Sequence, residues 1–171
     1  ESLAYSFTRG EYVHPRIVQE LVGWYSDSPG CVTTIDLLTA NDSNQFHGAV
    51  ELCRWGDVTW VRYTETERRG YFKYSYVGTA PSGVHILLCH YNGGGSGIFV
   101  SVLLLSFRKD TATWFSLTPA APRGRILLHA VGYISLGDRY AGDVSYGDGM
   151  LRIGADESPR AYGRRLTAQE I

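Results

Sequence analysis

Residues 84–91 and 98–108 are apolar at successive positions rather than at alternate ones. A strand with one wet face alternates apolar and polar side chains, because successive Cβ atoms point to opposite sides. A segment apolar on both sides is what a central strand, covered on both faces, requires. The connection between the two segments is Asn92-Gly93-Gly94-Gly95-Ser96-Gly97. Together they predict an antiparallel hairpin in the middle of a sheet. The longer segment includes Ser101 and Ser106 and is too short to span a membrane.

The rest of the chain supplies neighbours for that hairpin. Residues 71–77 put Phe72, Tyr74 and Tyr76 on one side and Lys73 and Ser75 on the other, as a half-buried strand does. Residues 31–38, 49–55, 58–65 and 125–136 are further strand candidates, separated by turns such as Gly56-Asp57 and Pro81-Ser82-Gly83. In the segment 125–136, strict alternation puts Ile126, Leu128, Ala130, Ile134 and Leu136 inward, with Leu127, His129, Val131 and Tyr133 on the other side. Val144-Ser145-Tyr146 and residues 150–153 would pair across Gly147-Asp148. Residues 15–25 alone carry helical spacing, at Ile17, Val18, Leu21, Val22 and Tyr25, with Pro15 in the first turn. Thr167 could cap a brief terminal helix. Residues 118–122 are the best linker candidate, and they fit a long loop between two sheets equally well.

The expected fold is all-β and mostly antiparallel, a β-sandwich in the first place and a flattened barrel in the second, with at most one or two short helices. A chain of 171 residues suits one domain over residues 1–171, with 155–171 as a mobile tail. The 16 basic and 17 acidic residues balance to a net charge of −1. Non-specific nucleic-acid binding depends on an excess of Lys and Arg, so that partner is not expected, and neither is a membrane. Cys31, Cys53 and Cys89 are odd in number, widely spaced and flanked by apolar residues, which predicts reduced, buried thiols. The odd count, with no signal peptide at Glu1, leans toward the cytoplasm.

Several constellations could carry chemistry. The three successive glycines 93–95 could present backbone amides to an anion, and Ser96 with His90 invites a hydrolase reading. Ile98 stands where a nucleophile elbow needs glycine, and no lysine follows as in a phosphate-binding loop. His85 and His90 point to opposite sides of a strand, while His85 and Cys89 share a side about 13 Å apart. A metal would need a further ligand such as His47 or His129, so no metal site is expected, and no cofactor. Asp138, Asp143 and Asp148 each follow a glycine and suit turns better than a calcium loop. Trp55, Trp60, Tyr63, Tyr71, Tyr74 and Tyr76 crowd neighbouring strands, either as cross-strand packing or as a platform for a flat ligand.

The function expected from this pattern is a non-catalytic binding or interaction module with a carbohydrate or protein ligand. The candidate contacts are His90, Asn92, Gly93, Gly94, Gly95, Ser96, Trp55 and Trp60, and no residue is assigned a catalytic role. A small hydrolase built around Ser96 and a structural accessory domain are the alternatives.

Overall fold

A turn of two residues, Gly56-Asp57, closes the first hairpin of the main sheet, and Gly56 supplies the positive φ of 59° that such a turn needs. The computed structural model describes residues 5–22, 32–42, 50–65, 67, 69–113, 122–157 and 169–170. In chain order its elements are β1 (Tyr5–Ser6), β2 (Glu11–Tyr12), α1 (Pro15–Leu21), β3 (Thr34–Asp36), α2 (Leu37–Asp42), β4 (Glu51–Trp55) and β5 (Val58–Thr64). There follow β6 (Tyr71–Thr79), β7 (His85–Asn92), β8 (Phe99–Ala112), β9 (Arg123–Asp138), β10 (Val144–Gly147), β11 (Met150–Ile153) and β12 (Gln169–Glu170).

Strands β4 to β9 form an antiparallel meander, and β3 adds beside β9, giving the seven-strand order β3-β9-β8-β7-β6-β5-β4. Among the described residues β3 and β4 bound this sheet, so it does not close into a barrel. The fold is all-β and sandwich-like, with two short helices among the described residues. β7 and β8 pair with each other near the middle, where both faces are covered. On the first face Val61, Phe72, Tyr74, Leu87, Cys89, Leu103, Leu105 and Leu128 pack under Phe7, Val13, Ile17, Val18, Leu21 and Leu37. On the second face Ile86, Val100, Val102 and Leu136 meet Tyr140, Leu151 and Ile153 from the segment that holds the small sheet β10-β11-β12. Two-sided burial is therefore the reason for the two-sided apolar pattern of this hairpin.

Helix α1 lies against β5 and β6 on the first face. His14 caps it by accepting from Arg16 N at 3.1 Å, and Pro15 occupies the first turn. Tyr74 Oη donates to the Val13 carbonyl at 2.6 Å, fixing the chain just before the helix to the centre of β6. The helix ends at Leu21, short of the expected residue 25; residues 23–25 lie outside the described residues.

Other expectations are corrected. The strand expected over 31–38 is cut to Thr34–Asp36, because Asp36 caps a second helix: its carboxylate accepts from Leu38 N at 3.1 Å and from Thr39 Oγ1 at 3.0 Å. Alternation along β9 breaks at Val131, which stands 54% exposed in the register shift between Leu104 and Leu105. One extra residue reverses the faces beyond it. Tyr133 consequently joins Leu128 on the first face, while Ile134 and Leu136 go to the second. Ser75, expected on a wet side, is buried. Gln169–Glu170 pairs with β11 and is not helical; the stretch 158–168, with Thr167, lies outside the described residues, as do residues 118–121 of the linker candidate 118–122. Cys53 is exposed on β4, where burial was expected, whereas Cys89 is buried and free; Cys31 lies outside the described residues.

Candidate ligand-binding face

The small sheet covers only part of the second face. Cross-strand register places Cys53, Trp60, Ser75, Leu88 and Val102 in one row and Glu51, Arg62, Lys73, His90 and Val100 in the next. Leu88, Val100 and Val102 lie in the core with Leu151 and Ile153. Toward β4 the same face carries Trp55, 83% exposed, opposite Val58, 45% exposed. Trp55, Trp60, Lys73 and His90 thus form an oblique line across four strands, each a directly opposed or diagonal neighbour of the next.

The contacts along this line are close. Lys73 Nζ sits 4.1 Å from the Trp60 ring centroid, a cation–π arrangement. The His90 ring meets Trp60 at 4.6 Å between centroids, with 60° between planes. Arg62 lies over the Tyr71 ring at 4.6 Å and reaches Glu51 across an ion pair of 3.7 Å, while its Nε is buried without a hydrogen-bond partner.

Electrostatically this is a strained arrangement. Arg62 and Lys73 are directly opposite across β5 and β6, and like charges so placed are destabilising. Among the described residues no carboxylate comes within ion-pair distance of Lys73, and Glu51 is shared out to Arg62. Burial, and secondarily the Arg62 charge, hold the Lys73 ammonium below its usual pKa. Burial and then Lys73 lower the His90 imidazole to about 4, so it is neutral at pH 7. Two cations and a neutral, donor-capable ring are gathered beside an exposed indole with little acid to balance them.

The glycine-rich connection flanks this line. Asn92 is two residues beyond His90 and opposite Tyr71. Its amide nitrogen donates to Gly95 O at 3.0 Å and Gly97 O at 2.7 Å, and its oxygen accepts from Gly94 N at 2.7 Å. The Gly94 amide, expected to be open to a partner, is therefore engaged within the loop. A Cβ at Gly70 would come within 2.8 Å of Asn92 O, so the loop rests on the β5–β6 turn. Arg139 donates to the Ser96 carbonyl, and Asp138 accepts from Ile98 N at 2.8 Å. Ser96 is exposed, and among the described residues no histidine hydrogen-bonds its hydroxyl.

Sequence reasoning picked out Trp55, Trp60 and His90, which the fold brings onto one face; Asn92 to Ser96 border it. It passed over Arg62 and Lys73. The available signal was a cation two residues from an aromatic in each of two adjacent strands, Trp60-x-Arg62 and Tyr71-x-Lys73.

The first face offers a different grouping. His85 Nδ1 and Thr79 Oγ1 are 2.9 Å apart, Tyr76 Oη and Thr79 Oγ1 are 2.7 Å apart, and the imidazole packs against Phe7 and Phe107. Burial lowers its pKa, as burial raises that of the Cys89 thiol. Among the described residues no three His, Cys, Asp or Glu side chains come together as metal ligands, and His47 lies outside them. Among them, too, no helix is long and apolar enough to cross a membrane. Comparison with known proteins gives no match: no family model fits the chain, and no curated protein or solved structure matches it.

Proposed function

We propose that the protein is a non-catalytic carbohydrate-binding module whose ligand lies on the face carrying Trp55, Trp60, Lys73 and His90. The observation that supports this reading most is the exposure of Trp55, at 83%, on the same face as Lys73 packed on Trp60. An indole left in water on a strand end costs solvation and contributes little to the fold, whereas its flat apolar surface suits the C–H face of a sugar ring. The neutral His90 and the polar edge of the face offer the directional contacts that orient such a ligand.

Screening the full chain on an array of neutral and acidic oligosaccharides, beside Trp55→Ala, tests the reading. Retention on at least one glycan class, weakened tenfold or more in the variant without release of new reducing ends, is the expected outcome. No retained glycan, or equal retention by the variant, would remove this face as the binding site. Glycan cleavage would replace the module with an enzyme.

A further inference from the structure

We propose that the ligand of this face is an acidic saccharide, with a carboxylate or sulfate seated between Arg62 and Lys73 and the sugar ring against Trp55. This rests on the carbohydrate-binding reading and adds the charge of the ligand. Trp60 is not the open platform: Lys73 covers its face at 4.1 Å and His90 meets it at 4.6 Å between centroids. Its role is to hold the Lys73 ammonium in place, leaving Trp55 as the exposed ring one diagonal step further along the face.

The two cations are an unbalanced pair. They oppose each other across β5 and β6, and among the described residues Glu51 is the acid paired here, 3.7 Å from Arg62 and making no ion pair with Lys73. An anion bridging both side chains would relieve their repulsion, give Lys73 a counter-charge, and meet the guanidinium in charge-assisted hydrogen bonds. Neutral His90, opposite Lys73, can donate to the same group without adding a third charge. A nucleic-acid strand is the poorer fit. Its affinity grows with the number of phosphates neutralised, whereas this part of the face presents two cations in a chain of net charge −1.

The test is a calorimetric titration of the full chain with four probes of matched length: an oligogalacturonate, a heparin-derived sulfated oligosaccharide, a neutral cello-oligosaccharide and a single-stranded DNA. Binding of an acidic oligosaccharide at least tenfold tighter than the neutral one is expected, and the two acidic arms decide between carboxylate and sulfate. Lys73→Met should weaken that binding at least tenfold, while Lys73→Arg, which keeps a cation over the Trp60 ring, should retain more of it than Lys73→Met. Equal binding of the neutral oligosaccharide, unaffected by Lys73→Met, would overturn the acidic ligand and leave the carbohydrate reading standing. Tighter binding of DNA than of either acidic sugar would overturn both, as would the failure of all four probes to bind.

Discussion

His90 shows how a single side chain couples this face to stability. Desolvation, reinforced by Lys73, lowers its pKa to about 4 in the folded protein, against about 6.5 when unfolded. The unfolded chain therefore takes up the proton first as pH falls. The associated stability is fully present above pH ~6.5 and is lost as pH drops from there toward about 4. Replacing His90 by Gln removes that titration. Urea unfolding of both proteins at pH 7 and pH 4.5 should show the variant gaining about 2 kcal/mol relative to the native chain at the lower pH. Parallel losses in the two proteins would mean that His90 is not held neutral by its surroundings.

At the scale of elements, the two layers on the second face meet closely where β6 passes under β10. A Cβ at Gly78 would lie 2.8 Å from Tyr146 Cδ1 and 3.0 Å from its Cβ. Gly78→Ala should therefore cost about 1–3 kcal/mol by forcing the small sheet outward, although alanine alone suits a strand better than glycine. Gly95→Ala, where nothing lies within 4 Å of the added carbon, should be close to neutral in the same thermal unfolding experiment. Equal melting of the two variants would show that the contact with Tyr146 does not hold the layers together. Much of this architecture was legible in the sequence. The β7–β8 hairpin declared itself by apolar side chains on both faces. The 144–153 hairpin was expected across Gly147-Asp148, but Gly147 pairs with Met150 and the turn is Asp148-Gly149, both at positive φ. What escaped depended on single residues acting out of period. The bulge at Val131 exchanges the faces of Tyr133 and Ile134, and the Asp36 carboxylate diverts a β-branched run into α2. The candidate face was half legible: Trp55, Trp60 and His90 stood out as residue types. The juxtaposition of Arg62 with Lys73 exists only once the β5–β6 register is fixed.

At the scale of the molecule, helices and the N-terminal segment cover one side of the main sheet, and the small sheet covers part of the other. Beside the small sheet, this second side keeps a like-charged pair, a half-buried ammonium and an exposed indole. Selection for folding alone disfavours each of these features, so their coincidence on one face is the foundation of the proposed function. The most direct check is the unfolding free energy of the double variant Trp55→Ala/Lys73→Met, measured in urea at pH 7. Loss of the cation–π contact with Trp60 offsets relief of the repulsion from Arg62, methionine keeps the packing of the lysine stem, and Trp55 buries little. The account predicts a stability within about 1 kcal/mol of the native chain. A loss above about 2 kcal/mol would contradict it, because the face would then be part of what holds the fold together.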